Sequence, residues 1–238
     1  MSKPKAIFSW SGGKDSAYGL HKVLSEGTYD VKYLLTTVND TFGRISMHGI
    51  REELLERQLA CIGIPLIKAR VSEGTNAEYE HRMEEVLLKA KTEGIEQVIF
   101  GDIFLDDLRD YREKNLARVG MNAVFPLWKL NTGGLIRDFI TQGFRTVICC
   151  TNDAFLGEEW LGREIDMNFV NGLPAHVDPC GENGEYHSFC YGGPLFPKPL
   201  QFTRGEVVFR PLEPSADPGS QQPGPVTRGF WYIDLIPA

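Results

Sequence analysis

The chain has 238 residues, 42% of them hydrophobic and 24% charged, a balance that matches soluble globular proteins and excludes a wholly disordered or fibrous chain. Its net charge of −7 repels polyanions on average and counts against a nucleic-acid partner. No apolar run approaches the roughly 20 residues of a membrane span, the start has no signal-type apolar core, and five cysteines without repeated spacing suit a reducing compartment, so a cytoplasmic protein with no membrane partner is expected.

Lys5 to Trp10 reads as a buried strand, and Asp15 to Glu26 as a helix with Leu20, Val23 and Leu24 on one face, stopped by Gly27. A strand over Val31 to Val38, a helix over Ile50 to Cys61 and a strand over Ile64 to Arg70 continue the alternation. A helix over Asn76 to Thr92, a strand over Gln97 to Phe100 and a helix over Asp107 to Val119 follow. Such alternation predicts a parallel α/β sheet covered on both faces. After Asn122 the pattern loosens into a helix near Gly134 to Gln142, an apolar strand over Arg145 to Thr151 and a Gly/Pro-rich stretch from Gly172 to Pro199. A domain boundary is therefore expected near 122, separating residues 1–122 from a smaller unit over 123–238. Pro214 to Pro225 reads as a loop or spacer, and the alternating Phe230 to Ile236 is expected to pair with Val207 to Arg210.

The string Ser9-Trp10-Ser11-Gly12-Gly13-Lys14-Asp15-Ser16 falls between the first strand and the first helix. Gly12 and Gly13 permit positive φ and close approach of backbone to a ligand. The following helix N-terminus favours an anion, Ser11 and Ser16 add hydroxyl donors, and Lys14 adds a compact positive charge. An Asp inside a phosphate-binding turn repels its ligand unless a cation intervenes, so Asp15 predicts bound Mg²⁺. The spacing is neither that of a Walker A loop nor that of a dinucleotide fingerprint. An ordinary strand-to-helix turn explains a lone Ser-Gly-Gly triplet, but not the full string in this position.

The string resembles the PP-loop of the ATP pyrophosphatases, relatives of the argininosuccinate, asparagine and GMP synthetases. Those enzymes split ATP between its α and β phosphates and adenylate an acceptor. The resemblance implies that Ser9, Ser11, Gly12, Gly13, Lys14, Asp15 and Ser16 contact ATP, with Lys14 and Asp15 in catalytic roles.

A second string, Asp178-Pro179-Cys180-Gly181-Glu182-Asn183-Gly184-Glu185-Tyr186-His187-Ser188-Phe189, packs three carboxylates, an Asn and a His into a short span. Buried polar groups need partners, so local chemistry leaves two readings: a site, or a solvated acidic turn. The string also resembles the signature D-P-x-G-E-x-G-E-[FY]-H of the diphthine-ammonia ligase family, whose ATP-binding domain begins with the same PP-loop. Phe100-Gly101-Asp102-Ile103, Pro126-Leu127-Trp128 and Gly192-Gly193-Pro194-Leu195-Phe196 are further matches, and together they cover roughly residues 5 to 200.

The resemblance implies a HUP-type Rossmann-like parallel sheet with a second, smaller α+β domain and the reaction in the cleft between. It implies ATP, Mg²⁺ and ammonium, with an acceptor carboxylate that in the best known members is diphthine on a translation elongation factor. Glu182, Glu185 and His187 are then catalytic candidates, and His48, Asn183 and Tyr186 candidates for the acceptor. Tyr186, Phe189 and Trp128 are either aromatic faces for a cationic acceptor or core residues.

Thr36, Thr37, Gly101 and Asp102 lie at strand ends, where ligands bind in this fold class, and are candidate nucleotide contacts. Asp106, Asp107 and Asp110 read as helix capping and a solvated face, and His21 and His81 as helix-surface or packing residues. Two further functions compete: a PP-loop enzyme acting on another acceptor, such as a small acid or a tRNA base, and a nucleotide-binding sensor without turnover.

Overall fold

In a computed structural model of the chain, residues 2–41, 43–45, 48–72, 76–212 and 226–238 are described. The spacer expected over Pro214 to Pro225 lies outside them. Strand β1 (Lys5–Ser9), with Ala6, Ile7 and Phe8 fully buried, feeds helix α1 (Lys14–Glu26). Gly27 ends that helix at φ 62°, its N–H donating to the Val23 carbonyl at 3.0 Å. Strand β2 (Asp30–Asn39), the two-residue strand β3 (Arg44–Ile45), helix α2 (Glu52–Ile62) and strand β4 (Leu66–Val71) come next. Helix α3 (Asn76–Thr92), strand β5 (Gln97–Ile99), helix α4 (Asp106–Arg118) and strand β6 (Asn122–Val124) complete the first sheet and its cover.

Strands β4, β2, β1, β5 and β6 lie side by side and parallel, with β3 antiparallel to the far end of β2. The chain runs outward from β1 to β2 and β4, then returns to the other flank of β1 for β5 and β6. The strand order thus reverses between β1 and β5, which opens a crevice at their carboxyl ends. Alternation along the strands sorts the core: Ile7, Leu35 and Val98 meet Leu87 of α3 and Leu116 of α4, while Ala6, Phe8, Leu34 and Ile99 face α1 and α2.

Helix α5 (Thr132–Thr141) begins at Asn131, whose side chain accepts the Gly134 N–H at 2.8 Å. Strand β7 (Arg145–Asn152), helix α6 (Met167–Gly172), strand β8 (Tyr186–Gly192), strand β9 (Phe202–Pro211) and strand β10 (Gly229–Pro237) follow. The four strands form an antiparallel sheet in the order β8-β7-β10-β9. As expected, the last strand returns beside the one before it, with Phe230 opposite Arg210 and Ile233 opposite Val207.

The first sheet ends with strand β6 at 122–124, beside the boundary expected near 122; three residues are too few to show a period. Two features depart from expectation. Strand β8 lies inside the Gly/Pro-rich stretch, where burial of Ser188, Phe189, Cys190 and Tyr191 on both faces erases the alternation that marks a strand. The two sheets also share one apolar cluster, which runs from Phe8 and Leu20 through Phe139 to Val147, Phe189 and Leu235. Tyr18 of α1 stands edge-on to Phe139 of α5 and to Phe144, at 6.1 and 5.9 Å, inside that seam.

Candidate functional site

The turn between β1 and α1 is shaped by its own hydroxyls and glycines. Gly12 sits at φ 80°, in the left-handed region, and Gly13 is the extended residue before α1. Ser16 Oγ donates to the Gly13 carbonyl at 3.0 Å, and the Gly13 N–H reaches Ser11 Oγ at 3.3 Å. The first amide of α1, Lys14 N–H, donates to Ser188 Oγ at 3.2 Å, and Cys190 N–H donates to the Gly12 carbonyl at 2.9 Å. Strand β8 is therefore stitched to the turn across 174 residues of chain.

A cavity of about 590 Å³ opens here, at the crevice between β1 and β5 and against the second sheet. It falls in the size range of small-molecule sites. From the first motif it takes Ser9, Ser11, Lys14, Asp15 and Ser16; from the end of β5, Gly101 and Asp102; and from the second motif, Glu182, Asn183, Tyr186 and His187, with His48 beside them. Lys14 Nζ is nearly buried and lies 2.7 Å from Asp15 Oδ2 and 5.3 Å from the centre of the Tyr186 ring. Burial opposes its charge, but the Asp15 carboxylate holds its pKa above the ordinary lysine value. Gly101 matters through close approach: a Cβ there would stand 3.0 Å from the Asp15 carbonyl group and 3.1 Å from Ser16 N, in the first turn of α1.

The acidic loop before β8 divides by direction. Glu182 faces the cavity, and its Oε1 accepts the backbone N–H groups of Ile103 and Phe104, at 2.7 and 3.2 Å, beyond β5. Burial, reinforced by the nearby Asp15 charge, pushes its pKa up to about 7. The His187 ring lies 4.8 Å from that of His48, and its buried Nε2 has no hydrogen-bond partner among the described residues. His48 Nδ1 lies 3.1 Å from the Ser188 carbonyl. Burial lowers both imidazoles, to about 3 for His187 and about 4 for His48, so both are neutral at pH 7.

Several expected contacts are placed elsewhere. Glu185 is fully buried and does not line the cavity: its Oε1 accepts Asp178 N–H at 2.9 Å and Asn183 Nδ2 at 3.0 Å, closing the loop on itself. Thr36 and Thr37 lie in β2, paired with Lys68 and Ala69 of β4, one strand away from the crevice. Gly12 and Gly13 support the turn from behind and are not in the cavity wall. Asp102 reaches the wall but is held by Arg112, Oδ1 to Nη2 at 3.1 Å. Of the aromatics weighed for an acceptor, Phe189 and Trp128 lie outside the cavity wall, and Tyr186 borders it although nearly all of its ring is buried. Asp106 and Asp107 fall in the first turn of α4, where negative charge suits the helix dipole, and do not cap it. His21 packs against Phe144, and His81 is exposed beside Glu85.

Sequence reasoning missed Asn152 and Phe230, which bring β7 and β10 to the cavity, as well as Leu105, Leu108 and Arg112 from the start of α4. Neither β7 nor β10 carries a motif, so only the packing of the second sheet shows them. Among the described residues, no group of three or more His, Cys, Asp and Glu side chains is arranged to hold a metal ion. No helix among them is long and apolar enough to cross a membrane.

Residues 4–123 match the family model of the diphthamide synthase N-terminal domain, and residues 131–211 that of the diphthamide synthase C-terminal domain. The chain is similar to the diphthine–ammonia ligase of Schizosaccharomyces pombe, 24% identical over 221 residues, which is 83% of this chain but 36% of that protein. It is also similar to those of mouse, 24% identical over 224 residues, and zebrafish, 22% over 223, covering 82% and 86% of those proteins and 83% of this chain. With both motifs falling inside matched segments, the chain belongs to the diphthamide synthase family.

Proposed function

We propose that the chain is an ATP-dependent, amide-forming ligase that adenylates an acceptor carboxylate, releases pyrophosphate and completes the reaction with ammonia. The observation that carries this reading is the meeting of Lys14 and Asp15 with Glu182 and His187 in one cavity at the strand-order reversal. Lys14 would hold the β and γ phosphates and steady the charge that develops on pyrophosphate as it leaves, in a turn braced by the hydroxyls of Ser11 and Ser16. Asp15 is cavity-facing, its side chain 30% exposed, and would hold Mg²⁺ jointly with the nucleotide; such sites take only one or two protein carboxylates. The ion neutralises phosphate charge when bound.

Glu182 carries a pKa near neutrality, which suits a group that takes a proton from the attacking nitrogen. The two neutral imidazoles of His48 and His187 place no positive charge beside an incoming ammonium, and together with Asn183 they border the acceptor half of the cavity. The similarity to diphthine–ammonia ligases points to diphthine as the acceptor, and on this reading the partner is a translation elongation factor that bears it. Incubation with ATP, Mg²⁺, ammonium and either a diphthine-bearing factor or a panel of small carboxylates should yield AMP, pyrophosphate and an amide mass on the acceptor. Turnover of small acids alone would keep the chemistry and remove diphthine. Binding of ATP with no AMP from any acceptor would favour the sensor.

A further inference from the structure

Gln58 of α2 belongs to neither motif, yet it is a fully buried polar side chain placed directly behind the glycine-rich turn. Its Nε2 donates to the Gly12 carbonyl at 2.9 Å and to the Cys190 carbonyl at 2.5 Å, while its Oε1 accepts the Trp10 indole N–H at 3.2 Å. This arrangement fixes which way the amide faces: the indole has only a donor to offer, and the two carbonyls only acceptors. Gln58 thereby ties three segments together, the end of β1, the turn itself and strand β8.

The Gly12 carbonyl and the Gly13 N–H belong to one peptide group, and in a trans peptide they point in opposite directions. Two donors, Gln58 Nε2 and Cys190 N–H, pull that carbonyl backward, away from the cavity. The Gly13 N–H is consequently turned toward Ser11, on the ligand side. A Gly-Gly peptide is the one in this turn most free to flip. Flipped, it would set a carbonyl oxygen toward Ser11 Oγ in the cavity wall and repel an anion bound there.

We propose that Gln58 is a positioning residue for phosphate recognition: its amide locks the Gly12–Gly13 peptide with the Gly13 N–H on Ser11 Oγ, and Ser11 lines the cavity where the nucleotide's pyrophosphate portion would lie. The inference rests on reading the cavity as an ATP site. Gln58 touches no ligand; it acts through the peptide it holds. Gln58→Met keeps the length and most of the volume of the side chain while removing the donors. Gln58→Glu keeps the shape, but sets a carboxylate against two carbonyls unless it is protonated.

The test is calorimetry on the full chain with Mg·ATP, inorganic pyrophosphate and adenosine as separate probes. Gln58→Met should weaken ATP and pyrophosphate binding about tenfold or more, the loss of a charge-assisted backbone contact, while adenosine binds within about twofold of wild type. For Gln58→Glu, the gap to wild type should narrow as pH falls, because the protonated acid regains a donor. Equal pyrophosphate affinity in Gln58→Met and wild type overturns the inference. So does an equal loss of adenosine and pyrophosphate, which would mark Gln58 as general scaffold. A wild-type chain that binds neither ATP nor pyrophosphate removes the site reading itself, a result distinct from either of these.

Discussion

In the turn from Ser9 to Ser16 the serines, Lys14 and Asp15 all line the cavity, although Ser11 and Ser16 also brace the turn through each other and the Gly13 peptide. The loop from Asp178 to Phe189 turns more of its side chains inward. Asp178 Oδ2 accepts the N–H groups of Cys180 and Glu182, Glu185 Oε1 accepts Asp178 N–H and Asn183 Nδ2, and Tyr186 Oη donates to the Pro179 carbonyl at 2.6 Å. About half of its polar side chains are consumed in building the loop. The turn can rely on a strand and a helix to hold its ends, whereas the loop precedes its strand with no regular element before it and must supply its own hydrogen bonds. Equal density of polar residues in two motifs therefore does not mean equal density of contacts with a ligand.

The comparison is tested most strongly at Lys14. Lys14→Ala should cut acceptor-dependent pyrophosphate release by roughly 10²–10³-fold, the scale for loss of one preorganised charge-stabilising donor, with ATP affinity falling as well. Unchanged kinetics in a pyrophosphate-release assay would move the phosphate site away from the turn.

On the proposed reading, Glu182 and Glu185 divide the second motif between chemistry and scaffold. Glu185→Ala removes a fully buried carboxylate that accepts Asp178 N–H and Asn183 Nδ2, and should cost about 1 kcal/mol in a denaturant titration. Glu182→Gln keeps an oxygen for Ile103 and Phe104, so stability should hold while acceptor-dependent turnover is lost and its rise near pH 7 disappears. A variant pair with the opposite pattern would exchange the two roles.

The smallest effect concerns pH and stability. His48 and His187 have folded pKa values of about 4 and about 3, below the ordinary 6.5. Between those limits the unfolded chain binds protons that the folded chain refuses, so their contribution to stability is full above pH 6.5 and is lost as pH falls toward 4 and then 3. Glu182, raised to about 7, opposes them: between its ordinary 4.5 and 7 the folded chain holds the extra proton and gains stability as pH falls. In denaturation at about pH 7 and about pH 4.5, His187→Asn should lose less stability on acidification than wild type. An identical loss would mean that the paired rings are not desolvated.

Much of this molecule was legible without coordinates. The alternation of apolar strands and amphipathic helices announced the parallel sheet, because periods of two and 3.6 follow from local geometry alone. The turn at Ser9 to Ser16 was equally legible, since a glycine pair between a strand and a helix N-terminus specifies its own backbone. What tertiary structure decided is which polar groups point where. Glu182 and Glu185 are three residues apart in a loop without a period, and only the N–H groups of Ile103 and Phe104 on one side and of Asp178 on the other turn one outward and the other inward. Thr36 and Thr37 stand at a strand end as the rule for ligand sites asks, but the reversal of strand order falls between β1 and β5, a consequence of pairing over long distances. Phe230, Asn152 and Gln58 carry no local signal; they reach the site because two sheets share one core, and that core is formed by contacts no short stretch of sequence contains.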